Sequence, residues 1–443
     1  MKNKKWMAIL LGGIMAASLA APCSVSAAEK TTLTFWHAMG GTNGEVLQQI
    51  VDDFNASQDE IEVKAEYQGT YDDTITKLKA AMQSDSGLPD VCQMYDVGTK
   101  FMYDSGAVIP VEDKFESTDY DKSSVMEVIS SYYTVDGKQY AMPFNVSTPM
   151  LYYNKDVFEA AGLDPETPPT TYDEVLEDAK KIVDSGAAPV GYSQAIYGWF
   201  FEQQLAGLGV TYGNNDNGRK EAVTAVDFDS NGGGLKVFDM WKKLYDSGCF
   251  EDYGTTTADT QTAFFSGQVG MIIESTAILK NAVDSSPFEV GTGYLPRIEQ
   301  NDEGGVIIGG GSLWLTDTGN EANEDAGWKF IEYITTPDVQ AKWSMGTGYF
   351  AINEKAYETD DMKAYLKENP NFETAINQLK DSPVNCNTAG VLSGVQTEAR
   401  LTFNEIMPQV YDGKLTTQDA VDQLAASVNK AIENYLLNNQ NAL

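Results

Sequence analysis

Between Leu33 and Met94 the hydrophobic spacing switches repeatedly between a period of two and a period near 3.6, and nothing else constrains the fold as strongly. Leu33 and Phe35 alternate with threonines, as in a strand. Val46, Leu47, Ile50, Val51 and Phe54 then mark one face of a helix. Ile61, Val63, Ala65 and Tyr67 alternate again. Ile75, Leu78 and Met82 recur at helical spacing, and Val91 to Met94 form a short apolar run after Pro89. This β-α-β-α-β order predicts a doubly wound α/β unit. Ligands of such sheets bind beyond the carboxyl ends of the strands. The loops after Phe35, Tyr67 and Met94 are therefore the places to look.

A second alternation starts near Gln139. Phe144 to Pro149 reads as a crossing strand or hinge, and Leu151 to Asn154 continues as strand. Thr171 and Glu174 form a capping box ahead of an apolar face of Val175, Leu176, Ala179, Ile182 and Val183, and Gly186 ends that helix. Gly213 to Gly218 reads as an exposed loop. Val269 to Glu274 is a strand, with Ser275 and Thr276 capping the helix after it. Gly309 to Gly311 precede a strand over Ser312–Thr316, and the last third is mostly helical. A chain of 443 residues has room for two such α/β units.

The N-terminus predicts export. Lys2, Lys4 and Lys5 precede an apolar stretch from Met7 to Ala21, and Val25 to Ala28 offer small residues for cleavage after Ala27 or Ala28. Residues 1–27 are expected to be a signal peptide, in preference to a retained anchor. Lipidation at Cys23 is the alternative, although Pro22 fits that signal poorly. The formal charge is −35, which repels nucleic acid and anionic membranes. With Cys23 removed, Cys92, Cys249 and Cys386 are an odd number. A disulfide framework is not expected, and the spacing suggests no metal knuckle.

Signals for catalysis are scarce. His37 is the single histidine, the nucleophile-elbow spacing is missing after Gly310-Gly311-Ser312, and no phosphate-cradling Gly-Lys motif is present. No catalytic residue, metal or cofactor is assigned. Only Arg219, Arg297 and Arg400 carry guanidinium groups. Arg219 is expected to be solvated in its Asn/Gly loop, and Arg297 to lie on the surface. Arg400 has no acid three or four residues away, so no local ion pair awaits it. It is either a solvated helix position or a fork-shaped donor set for an anion. Tyr71, Tyr95, Tyr197, Trp199 and Tyr349 fall at loops or helix starts, where they serve either packing or ligand contact.

Several segments together carry a resemblance: Phe35-Trp36-His37, Tyr95 to Thr99, Phe144 to Pro149 with Leu151 to Lys155, Ala161 to Pro165, Ile307 to Gly310 with Ser312 to Trp314, and Thr347-Gly348-Tyr349. Over nearly the whole mature chain the sequence is similar to the family-1 extracellular solute-binding proteins of ABC uptake systems, and in particular to their glycerol-3-phosphate binders. Most members of that family bind sugars. The resemblance implies a maltose-binding-protein-like α/β fold of two lobes, each a sheet flanked by helices, with ligand in the cleft. Lobe 1 is expected over 28–145 and 276–338, and lobe 2 over 146–275 and 339–443.

By the same resemblance, Asp96 and Tyr71 would hold glycerol hydroxyls. Tyr349, Ser275, Gly310 and Arg400 would hold phosphate, and Ser147 is the hinge serine. Ser275 would begin a helix whose positive end favours an anion. A family tryptophan aligns with Ile196, so the cleft wall would draw on Trp36, His37, Ile196, Tyr197 and Trp199. The expected partners are a small polar solute and the permease subunits of the transporter, with the chain a monomer in the periplasm or at the cell surface. Three other readings stay open: a neutral-sugar receptor of the same fold, with Arg400 in a structural salt bridge; a secreted glycoside hydrolase; and a structural surface protein.

Overall fold

The computed structural model describes residues 30–84 and 87–439, so the leader, its cleavage site and Cys23 lie outside the described residues. The N-terminal alternation folds as its spacing predicts. Strand β1 (Thr31–His37) is joined by the helix Gly41–Ser57 to β2 (Ile61–Tyr67), and by the helix Tyr71–Gln83 to β3 (Val91–Tyr95). β1 lies parallel to both, in register from Thr31 against Ile61 to His37 against Tyr67. Leu47, Ile50, Val51 and Phe54 are the buried face of the first helix. Thr70 and Asp73 close a capping box on the second.

β4 (Val108–Ile109), a small hairpin of β5 (Thr134–Val135) and β6 (Lys138–Gln139), and β7 (Met142–Ser147) follow. The chain then turns through Thr148 into a second sheet. Its strands are β8 (Pro149–Asn154), β9 (Val190–Ser193), β10 (Val269–Ser275) and β11 (Val290–Gly293), in the spatial order β11-β8-β10-β9. Finally β12 (Gly309–Thr316) returns to the first sheet. It lies antiparallel to β3 on one side, and to β7 and β4 on the other.

The helix Tyr172–Ser185 carries the predicted Thr171/Glu174 box and ends at Gly186 in the left-handed region, φ 74°. It buries Val175, Leu176, Ala179 and Ile182 in the core of the second half. The predicted C-terminal helix spans Thr417–Asn438 and buries Val421, Leu424, Val428 and Ile432 in the same core.

Sheet membership differs from the expected boundaries. The crossing falls at Thr148 rather than after residue 145, and β11 pairs with β8, so Val290–Gly293 stays with the second half. The helix Pro337–Thr347 stays with the first half, where Lys342 pairs with Asp53 at 2.6 Å and Trp343 stacks on Phe144 at 4.6 Å. The chain leaves only later, and the helix Asn371–Asp381 meets β11 through Thr292 and Asn371, 3.1 Å apart. Hydrophobic periodicity reports which face of an element is buried, not which half buries it.

Residues 213–218 are not an exposed loop. Asn215, Asp216 and Asn217 all take left-handed φ. The buried Asn217 side chain accepts from Tyr212 N and Gly213 N and donates to the Cys386 carbonyl. Cys92, Cys249 and Cys386 are free thiols, and burial pushes Cys92 up to about 12. Among the described residues no helix is long and apolar enough to cross a membrane, and no cluster of three or more His, Cys, Asp or Glu side chains is arranged to hold a metal ion.

The helices Gly198–Gly207 and Gln396–Tyr411 make a close crossing in the second half. A Cβ on Gly198 would stand 2.5 Å from the Arg400 Cα, and Gly198 N donates to Asn404 Oδ1 at 2.9 Å. Gly198→Ala should push these helices apart and cost about 1–3 kcal/mol. A lower urea midpoint with unchanged m would show it; an unchanged midpoint would mean that the helix pair gives way freely.

Candidate functional site

The carboxyl ends of β3, β7 and β10 and the first residues of β12 converge where the two halves meet. β3 delivers Tyr95 and Asp96. β7 delivers Asn145 and Ser147, β10 delivers Glu274 and Ser275, and β12 delivers Gly309 and Gly310. The second half adds Tyr197 and Glu202 from one helix and Gln396, Thr397 and Arg400 from another.

Arg400 is the centre of this arrangement. It is neither solvated nor free. Glu202 grips one edge of the guanidinium, taking Nε and Nη2 at 2.7 Å each, and Asp96 takes Nη2 at 2.7 Å from the opposite half. Gln396 Nε2 donates to Glu202 Oε1 at 2.7 Å. Arg400, Asp96 and Glu202 are 8%, 5% and 5% exposed, so these charges meet with little water between them. Burial works against the Arg400 charge, but Asp96 and Glu202 outweigh it and hold its pKa well above the ordinary value. Two carboxylates face one guanidinium, which leaves one surplus negative charge. Among the described residues no hydrogen bond engages Nη1.

A tyrosine cluster adjoins the triad. Tyr71, at the start of its helix, stacks on Tyr95 with 5.0 Å between ring centroids and accepts from Asn145 Nδ2 at 2.7 Å. The Tyr349 hydroxyl lies beside the same pair. Burial, then the neighbouring Tyr349 and Asp96, drive the Tyr71 pKa well above its ordinary value, so both phenols stay protonated donors. Tyr95 donates to Asp72 Oδ1 at 3.0 Å. Its only proton is spent there, so it accepts from Thr397 Oγ1 at 2.9 Å, a second bond between the halves.

Gly310 runs at φ 91°, where a side chain is strained, and a Cβ there would overlap the Asn145 carbonyl at 1.9 Å. The site therefore presents bare backbone at this point. Ser147 is buried at the end of β7, opposite Gly309.

Ser275 caps the turn after β10, as its sequence context predicts. The turn it begins is a three-residue 3-10 segment followed by a seven-residue helix, and its hydroxyl accepts from Ala277 N at 3.2 Å. Its neighbour Glu274 is buried, accepting from Gln261 Nε2 at 2.9 Å and Ser275 N at 2.7 Å, and burial raises its pKa to about 7.

Of the expected cleft wall, Ile196 is packed into the core of the second half. Trp199 lies against Gly309, with its indole N–H unpaired, and Tyr197 stands close enough to Arg400 to feel its charge. Among the described residues Trp36 and His37 make no hydrogen bond with the triad. Trp36 donates to Glu66 Oε2 at 3.0 Å, and buried His37 is held neutral, its pKa lowered to about 4. Arg297 is exposed as expected, whereas Arg219 is clasped by main-chain carbonyls: Nε donates to Gly390 O at 3.0 Å, Nη1 to Tyr132 O at 2.8 Å, and Nη2 to Ala389 O.

Sequence reasoning missed Glu202, Asn145, Gln396 and Glu274. Glu202 had a readable signal. It follows Trp199-Phe200-Phe201 and precedes Leu205 in a helix with no polar face, so its charge needed a buried partner.

Arg400→Met should leave two buried carboxylates without a counter-charge and cost about 3–5 kcal/mol, with much of the loss restored when Asp96→Asn and Glu202→Gln are added. Urea unfolding of the single and triple variants checks this. For Glu274 the folded state holds the proton up to about pH 7, whereas the unfolded carboxyl releases it near 4.5. Its contribution is thus fully present below pH 4.5 and is lost as pH rises through 7. Glu274→Gln should gain stability relative to the parent between pH 5 and 8, read as the difference in Tm across that range.

Comparison with known proteins bears on this site. Residues 49–374 match the family model of the bacterial extracellular solute-binding proteins. The sn-glycerol-3-phosphate-binding periplasmic protein UgpB of Yersinia pseudotuberculosis is 31% identical over 406 residues, covering 90% of this chain and 92% of the relative. That of Escherichia coli K12 is 30% identical over 412 residues, covering 91% and 93%. Among solved structures, UgpB of Mycobacterium tuberculosis in complex with glycerophosphocholine superposes with a TM-score of 0.78 at 20% identity, covering 92% of this chain and all of that one. The cyclic alpha-maltosyl-1,6-maltose binding protein of Arthrobacter globiformis gives 0.76 at 26% identity, with the same coverage. The two halves are thus the lobes of a maltose-binding-protein-like fold, the triad lies at their junction, and the chain belongs to the bacterial extracellular solute-binding protein family.

Proposed function

We propose that this protein is the exported capture component of an ABC uptake system for a glycerol phosphate ester, either glycerol 3-phosphate or a glycerophosphodiester, which it hands to a membrane permease without chemical change. The observation that carries this reading is the buried guanidinium of Arg400 at the lobe junction, with Nη1 unengaged, while the protonated phenols of Tyr71 and Tyr349 line the first lobe on the side of Asp96. Those donors, with the bare backbone of Gly310, suit an oxyanion. Asp96 is the acceptor for glycerol hydroxyls. The glycerol-3-phosphate-binding relatives at about 30% identity support the same ligand class.

Both lobes supply these groups, so a ligand that touches all of them favours the closed cleft. The closed form is the one that would dock on a permease, with the protein acting as a monomer.

One observation favours a second reading. Glu202 and Asp96 already neutralise Arg400, as a receptor for an uncharged sugar would require. Isothermal titration separates the two. Glycerol 3-phosphate or glycerophosphoglycerol should release heat and raise the Tm by mass action, while maltose should do neither. Heat from maltose alone would overturn the phosphate assignment and leave the sugar receptor.

A further inference from the structure

The charge count at the triad has a consequence for selectivity, which rests on the phosphate-ester reading above. An oxyanion that reaches Arg400 meets a guanidinium already shared by two carboxylates. Glu202 takes Nε and one hydrogen of Nη2, and Asp96 takes the other hydrogen of Nη2, so only the two hydrogens of Nη1 remain to donate. The surplus negative charge stays behind them.

Asp96 belongs to the opposite lobe and can move with it. Glu202 cannot: it sits on the same lobe as Arg400, holds it through two bonds, and is itself pinned by Gln396. We infer that Glu202 is a specificity-determining residue that sets how much negative charge the bound ligand can carry, admitting a singly charged phosphate ester and penalising a doubly charged one.

A phosphomonoester carries close to two negative charges at pH 8 and one near pH 5, because its second pKa is about 6. A phosphodiester carries one charge throughout. Facing the triad are Tyr197 and Tyr212 from the second lobe, Tyr71, Tyr95, Tyr132, Tyr133 and Tyr349 from the first, and Glu274 at the end of β10. The tyrosines stay neutral over this range. Glu274 titrates within it, and its charge at pH 8 also weighs more on a dianion than on a monoanion, so the pH series is run on Glu274→Gln as well as on the parent.

The experiment titrates the full mature protein with sn-glycerol 3-phosphate and with glycerophosphoglycerol, a diester without a cation, at pH 8 and pH 5. The ratio of monoester Kd to diester Kd should fall about ten-fold or more on acidification, the scale of one extra unit charge a few ångströms from the surplus carboxylate. At pH 8, Glu202→Gln should lower the same ratio by a similar factor, because removing the charge helps the dianion more. A residue that merely supported the fold would weaken both esters together and leave the ratio unmoved. If the variant does not fold, the pH series on Glu274→Gln decides, since its ratio should still fall on acidification. Binding of both esters with a ratio that neither pH nor Glu202→Gln changes, or a monoester held more tightly than the diester at pH 8, would overturn this inference and leave the proposed function standing. Binding of neither ester would overturn both.

Discussion

A guanidinium buried between two carboxylates, one on each lobe, organises the molecule. Such a cluster tolerates little displacement, because every charge in it has given up water and has only its partners in exchange. The close crossing of the Gly198–Gly207 and Gln396–Tyr411 helices follows from it: Gly198 lets the Arg400 backbone come near enough for Glu202 to take two bonds. The junction with β3 follows as well, since Asp96 reaches across to the same nitrogen. Tyr95 and Thr397 reinforce that contact.

The tyrosines supply what the charges cannot. Tyr71, Tyr95 and Tyr349 give the first lobe a polar but uncharged lining, held protonated by burial. Strongly negative as the chain is, it has concentrated at its lobe junction one of its few arginines and several neutral donors. Attraction for an anion and restraint on its charge come from the same few side chains, so affinity and selectivity at this junction are linked.

Much of the architecture was legible from residue spacing. The first three strands, the two crossover helices, the Thr171/Glu174 box and the C-terminal helix are local features, and period and capping chemistry specify them. The lobe boundaries were not, because β11 is buried along its whole length and the helix Pro337–Thr347 has no pronounced apolar face, so neither carries a pattern that assigns it to one lobe. Arg400 could be singled out by scarcity and by resemblance, but its partners stand 198 and 304 residues away, beyond any local pattern. Arg219 misled for the opposite reason: its Asn/Gly surroundings read as a solvated loop, yet consecutive left-handed residues fold that loop inward.

The clasp around Arg219 bears on how such a protein can diverge. Its acceptors are the main-chain oxygens of Tyr132, Ala389 and Gly390, two on the segment that precedes the Arg400 helix and one on the opposite lobe. Every amino acid carries that oxygen. Substitution at Ala389 therefore leaves its acceptor atom in place, whereas Gly390, at φ 69° with the Tyr132 ring 2.9 Å from where a Cβ would stand, and Tyr132, whose ring lies under the Arg219 guanidinium at 5.1 Å, are held by more than their carbonyls. The seam thus joins the two lobes through main-chain oxygens and one ring face rather than through the Arg400 triad, so a change in the residues around Arg400 leaves this second tie between the lobes in place.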